Sequence, residues 1–235
     1  MVFDKVLLFD FEDSFTFNLF HLIDSVIAKD FSLSKKVQLY HWREFPKIIE
    51  AELQQQKASD HSLPVLVVFG PGPGHPAEYE SLNSVLSIFL KSCTVGRNTF
   101  FGVCLGHQIL WSCLGHQVKR LAHPVHGHAH RLFLPEWNIL SLDSPIEVQK
   151  YNSLGVEILD KNLLSPTTYQ YQNKIVQLWF DQTGLQGSFH SEGWLSYQFH
   201  PESIGTSCPE ALIGAILNLR YNIEHGASNR RSLRP

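Results

Sequence analysis

A cysteine stands between two glycines at 102–106, Gly-Val-Cys-Leu-Gly, directly after one apolar run and directly before another. A cysteine that only fills a core behaves as a small hydrophobe and has no need of glycine neighbours. Strand, then Gly-x-Cys-x-Gly, then helix is the pattern of a nucleophile elbow. Its sharp turn admits only small flanking residues, here Gly102 and Gly106. It leaves the nucleophile, Cys104, at the carboxyl end of a strand and over a helix N-terminus, which favours the reactive thiolate. The amide of Leu105 would point toward the same space. Packing on a glycine-rich turn is the plain alternative for Cys104. Cys93 and Cys113 lie in helical apolar stretches and read as packing, and Cys208 carries no information.

A cysteine nucleophile needs a proton shuttle and a group that orients the shuttle. The run Trp-Leu-Ser-Tyr-Gln-Phe at 194–199 leads into His200, Pro201 and Glu202. The proline ends the strand, so His200 sits at the carboxyl tip, where open α/β sheets place ligands. Glu202, two residues on, is near enough to bond the imidazole and fix its tautomer. A strand-end histidine beside a solvated glutamate is the alternative. The third feature is Gly-Pro-Gly-Pro-Gly at 70–74, also after a buried strand. Pro71 and Pro73 stiffen it, while Gly72 and Gly74 keep their N–H groups and allow close approach of a substrate. Such a loop can offer a backbone donor to a developing oxyanion beside that of Leu105. A phosphate loop is excluded because no Gly-Lys-Ser/Thr follows; a plain Pro-Gly turn remains open.

Positioning these residues requires an alternating chain. Val6 to Phe9 reads as a buried strand, and a helix follows with Asp13, Ser14 and Thr16 as capping oxygens. Val37 to Tyr40, Val65 to Phe69 and Asn98 to Val103 read as further strands. Phe45 to Gln55, Glu80 to Lys91 and Leu105 to Leu114 read as helices between and after them. The order predicts an α/β fold, a mostly parallel central sheet flanked by helices on both faces. Beyond residue 117 the runs are shorter, such as Ile175 to Phe180 and Trp194 to Phe199, and a last helix is expected over Glu210 to Asn222. The whole of 1–224 reads as one domain. The basic, breaker-rich stretch at 225–235 is expected to be a disordered tail.

The 235 residues suffice for one large domain with a core. The chain is 43% hydrophobic and 17% charged, with a net charge of −3, which leaves no electrostatic footprint for nucleic acid. Its acidic start, with only a short apolar run, fits neither a signal peptide nor a membrane span. Four scattered cysteines with no CxxC spacing read as free thiols, and the expected location is the cytoplasm. His126, His128 and His130 alternate, so on a strand they would share a face. No cysteine or carboxylate lies nearby in sequence, and the segment reads as a polar surface strand rather than a metal site.

Taken together, Asp-Phe-Glu-Asp-Ser-Phe-Thr-Phe-Asn-Leu at 10–19, Gly70–Pro76, Gly102–Gln108, Tyr151–Leu154 and Gln198–Ser203 occur in an order that closely resembles class I (triad) glutamine amidotransferases. The first segment is most similar to the amidotransferase subunits of anthranilate synthase and aminodeoxychorismate synthase. The resemblance spans about residues 4 to 222. It implies a mixed central sheet, flavodoxin-like in part, and no cofactor. It implies Cys104 as nucleophile, His200 as acid/base and Glu202 as its orienting partner. It also implies oxyanion amides at Gly72 and Leu105, and glutamine held by Gly74, Gln108 and the backbone of Ser153 and Leu154. The implied partner is a chorismate-binding aminase subunit that receives the ammonia. Three segments depart from the usual pattern: His126-Gly127-His128 for His-Gly-Lys, Asn152 for the His of Tyr-His-Ser-Leu, and Phe69-Gly70 before the first proline of the loop. A stand-alone γ-glutamyl cysteine hydrolase and a non-catalytic regulatory subunit remain as alternatives.

Overall fold

The computed structural model describes residues 3, 5–30, 37–59, 64–94, 98–124, 127–134, 142–158, 163–165, 167–172, 174–190 and 193–217. The first half alternates as β1 (Lys5–Asp10), α1 (Thr16–Asp30), β2 (Val37–His41), α2 (Phe45–Ala58), β3 (Val65–Phe69), α3 (Asn83–Thr94), β4 (Thr99–Val103) and α4 (Leu105–Cys113). The second half is strand-rich: β5 (Gln117–Arg120), β6 (His128–Leu132), β7 (Ile146–Lys150), β8 (Leu154–Glu157) and β9 (Leu163–Ser165). It continues with β10 (Thr168–Tyr171), β11 (Lys174–Asp181), β12 (Gly184–His190), β13 (Trp194–Tyr197) and α5 (Pro209–Leu217).

Nine strands form one sheet in the order β2-β1-β3-β4-β13-β12-β11-β10-β9. From β2 to β13 every neighbouring pair is parallel. From β13 to β9 every pair is antiparallel. The parallel part is the centre that the βα alternation predicts. β3 and β4 are buried along their whole length, which is why they read as unbroken apolar runs. Residues of alternate parity face opposite layers. On one face Leu7, Phe9, Val67 and Phe69 pack with Phe45 and Ile49 of α2, Phe89 of α3 and Leu110 of α4. On the other, Leu8, Val68, Phe101 and Val103 pack with Leu19 and Ile23 of α1 and Leu212 and Ile213 of α5. Two small antiparallel sheets, β5-β8 and β6-β7, lie outside this frame.

The structure adjusts several boundaries. The stretch read as a helix from Glu80 is a 3-10 turn over Pro76–Leu82 followed by α3. His75 caps that turn, and Tyr79 leaves helical geometry at φ −113 and ψ 15. Thr16 does not cap α1. It is buried, and its hydroxyl donates to Asp10 Oδ1 at 2.7 Å, while Asp13 Oδ1 accepts from Phe15 N at 2.8 Å. The end of the last helix beyond Leu217 and the tail at 225–235 lie outside the described residues, as does His126. No described helix is long and apolar enough to cross a membrane. Among the described residues, no group of three or more His, Cys, Asp or Glu side chains comes together as a metal site would require.

Candidate active site

Cys104 is the turn between β4 and α4, with φ +52 and ψ −101. A non-glycine residue held there stores on the order of 1–3 kcal/mol, and its surroundings must hold it. Its N–H donates to Tyr197 O on β13 at 2.8 Å, and Gly106 N–H donates to Gly70 O at 3.2 Å. Both flanking glycines are sterically required. A Cβ on Gly102 would lie 2.8 Å from the backbone of Gly106, and one on Gly106 would overlap the carbonyl oxygen of Phe69. The local sequence thus folds into an elbow because the strand, the helix and the proline loop pass too close for any side chain. Leu105 opens α4, so its N–H is one of the helix's orphan donors. Gly72 sits against it: an added Cβ would overlap the Leu105 side chain and meet Phe11 Cβ at 2.6 Å.

His200 follows β13, which pairs with β4 in the register Gly102↔Ser196 and Val103↔Tyr197. Its backbone is held on both sides. His200 N donates to Gln149 O at 2.9 Å, and Thr206 Oγ1 donates to His200 O at 2.7 Å. Nδ1 lies 2.7 Å from Glu202 Oε1, with the two side chains 3% and 0% exposed. The carboxylate oxygen accepts from Nδ1–H, which leaves the buried Nε2 as the ring's other nitrogen. Burial pulls the imidazole's pKa down, but the Cys104 sulfur and then Glu202 outweigh it, and the pKa stands well above the usual histidine value. Two further rings enclose the imidazole. Phe15 lies 5.4 Å away and Tyr151 5.0 Å, centroid to centroid, and Tyr151 OH is hydrogen-bonded to Ser203 Oγ at 2.8 Å.

The residues expected to hold substrate form two groups. Gln108 is buried on α4, and its Nε2 donates to Leu154 O at 3.2 Å and to Gln198 Oε1 at 3.0 Å. Leu154 O also accepts from Asn152 Nδ2 at 2.8 Å. Ser153 O accepts from Leu121 N at 2.9 Å. Gly74 lies on the Gly72 loop in left-handed backbone, φ +82, against the Glu78 carboxylate. So Gln198 links Cys104 to Gln108, Gln108 in turn reaches Leu154, and Gly74 stands on the loop that packs against Leu105.

Four contributors were not singled out from sequence: Phe15, Tyr151, Gln198 and His107. Gln198 Nε2 is 3.7 Å from Cys104 Sγ. Strand alternation alone puts Gln198 on the side of His200. His107 is fully buried beneath the elbow, where burial pulls its pKa down to about 3 and its Nδ1 is 2.8 Å from Ser196 Oγ. A neutral imidazole there ties α4 to β13.

A thiol at a strained turn, an imidazole oriented by a carboxylate, and helix N–H donors beside a proline loop are the parts of acyl transfer through a thioester. The family description "glutamine amidotransferase class-I" matches residues 7–215. The chain belongs to that family, whose members are glutamine-hydrolysing enzymes with a cysteine nucleophile. Within it, anthranilate synthase component 2 of Saccharolobus solfataricus is 25% identical over 220 residues, covering 92% of this chain and 98% of that one. An aminodeoxychorismate synthase of Streptomyces griseus is 30% identical over 216 residues, covering 92% of this chain and 26% of that protein. The fold is shared with the solved glutaminase domain of CTPS from Trypanosoma brucei. Its TM-score is 0.60 at 15% identity, covering 94% of this chain and 94% of that one.

Proposed function

We propose that this chain hydrolyses glutamine through Cys104, His200 and Glu202 and passes the ammonia to a chorismate-binding synthase partner. The observation that carries the reading is the buried His200–Glu202 pair at 2.7 Å, just past the end of β13, the strand that accepts the Cys104 N–H bond. The Cys104 thiolate attacks the side-chain amide carbon of glutamine. The carbonyl oxygen gains the charge and is met by the N–H groups of Leu105 and Gly72. His200 Nε2–H gives its proton to the departing nitrogen, and ammonia leaves as the thioester forms. Water then attacks the thioester carbon, His200 takes its proton, and glutamate and the free thiolate are regenerated. Glu202 keeps Nδ1 protonated throughout, so that Nε2 alone exchanges the proton.

The similarity to component 2 of anthranilate synthase over nearly all of both chains supports an amidotransferase that works with a separate synthase. The similarity to a quarter of an aminodeoxychorismate synthase supports the same chemistry joined to a synthase in one chain. The test is glutamate release by the purified chain, alone and with a chorismate-binding synthase partner. Turnover should rise with the partner and chorismate, and Cys104→Ala should lower it at least about ten-thousand-fold. The aminated product, anthranilate or aminodeoxychorismate, names the pathway. Turnover that ignores the partner would point instead to a stand-alone hydrolase.

A further inference from the structure

Behind Cys104 lies a chain of buried amides to which the mechanism above gives no task. Gln198 is fully buried, and its carboxamide lies between the nucleophile and Gln108. The orientation of each amide in the chain is fixed by its neighbour. Leu154 O can only accept, so the Gln108 atom 3.2 Å from it is the nitrogen. That same nitrogen meets Gln198 at 3.0 Å, so Gln198 turns its oxygen toward Gln108. Its NH2 group therefore faces Cys104 Sγ, at 3.7 Å. Flipping Gln108 would set oxygen against the Leu154 carbonyl, whose other acceptor position is taken by Asn152 Nδ2.

We propose that Gln198 is a positioning residue for the nucleophile, an N–H donor that holds the Cys104 sulfur as a thiolate aimed at the substrate. The proposal rests on the reading of Cys104 as the nucleophile. A thiol sulfur is a weak acceptor, whereas hydrogen bonds to an ionised acceptor are strong, so the donor favours the charged form. A buried N–H left without an acceptor costs free energy, so the amide and the sulfur satisfy each other. The carboxamide also brings no ionisable proton. It steadies the thiolate without competing with His200, which approaches from two residues along the same extended run. The chain from Gln108 to Leu154 and Asn152 keeps the donor from rotating away.

The experiment compares Gln198→Leu and Gln198→Glu with the unaltered chain. It reads kcat and KM for glutamine, and the pH profile of Cys104 alkylation by iodoacetamide. Loss of one charge-assisted hydrogen bond predicts a fall of about tenfold in kcat with little change in KM. The alkylation profile should move to higher pH in the leucine variant and further in the glutamate variant, where a carboxylate faces the sulfur. Folded variants whose alkylation profile matches the unaltered chain overturn the proposal, even if kcat falls, because packing alone would explain the loss. If neither variant folds, the Gln198 side-chain amide resonances of the unaltered chain decide. They should move with pH in step with the alkylation profile and stop doing so in Cys104→Ala; resonances indifferent to pH overturn it. Turnover that survives in Cys104→Ala would sink the nucleophile reading itself. An inactive Cys104→Ala beside unchanged Gln198 profiles would sink only this proposal.

Discussion

Replacing Lys150 by methionine should leave the protein as stable as before, or up to about 2 kcal/mol more stable. Lys150 ends β7 with its side chain fully buried, Nζ 3.0 Å from Asp181 Oδ2 and 2.5 Å from Thr183 Oγ1. Burial pulls the ammonium's pKa down, and Asp181 opposes that pull without cancelling it, so the net direction is downward. The charge is thus less favourably placed than in water. Methionine keeps the unbranched stem and fills similar space. Its introduction removes charged hydrogen bonds worth about 1.5–3 kcal/mol and relieves a desolvation penalty of several kcal/mol. Breaking a buried pair usually costs about 3–5 kcal/mol because one charge is stranded. Here Asp181 keeps two contacts from Thr183, N and Oγ1 both at 2.6 Å, and stays 20% exposed. The pH dependence follows from linkage. With the folded pKa below the unfolded value of about 10.4, the unfolded state binds more protons between the two, so stability rises with pH in that window. Lys150→Met should flatten that rise. Urea unfolding at neutral and alkaline pH measures both effects. A loss above about 3 kcal/mol, or an unchanged alkaline rise, would refute the reasoning.

The raised pKa of His200 has the opposite sign: its stabilisation is present below the unfolded value of about 6.5 and is lost as pH rises through the folded value. Cys104→Ala removes the largest raising influence, so NMR titration of the His200 ring should show a lower pKa in the variant. An unmoved titration would mean that sulfur and imidazole do not interact. Gly102→Ala would drive a Cβ into the backbone of Gly106 and His107 at 2.8 and 2.9 Å, which no side-chain rotation relieves. It should cost about 1–3 kcal/mol in unfolding assays and, on the proposed function, displace the Cys104 thiol enough to lower glutamine turnover about a hundredfold.

The elbow was legible from sequence because glycines on both sides of a cysteine mark a tight turn. Gly102 is required by the backbone a few residues on, and Gly106 by the close approach of Phe69 at the end of β3. The His200–Glu202 pair was legible because Pro201 ends a strand and the two residues need only each other. Gln198 carried the same alternation signal as His200, yet a neutral amide announces no chemistry until its neighbours are known. Lys150 gave no sign of burial, since the groups that receive it, Asp181 and Thr183, are set by a turn more than 30 residues away. In the sheet's second half β11 and β13 were legible as short apolar runs, but the strand between them was hidden for a similar reason. β12, Gly-Leu-Gln-Gly-Ser-Phe-His, has two glycines and little apolar periodicity, and it is a strand because β11 and β13 pair on either side. Phe15 and Tyr151 flank His200 from segments that sequence places far apart.

The bond from Cys104 N–H to Tyr197 O has a consequence for how the protein comes into being. β4, which leads into Cys104, and β13, which leads into His200, are adjacent in the sheet, yet Gln198 and Cys104 are 94 positions apart in the chain. β13 inserts beside β4 only after everything between them has been synthesised, and such non-local pairing is slow to form. A growing chain on the ribosome therefore presents Cys104 long before the strand that leads to His200 can pair beside it. The elbow and the His200–Glu202 pair come together only when β13 takes its place beside β4.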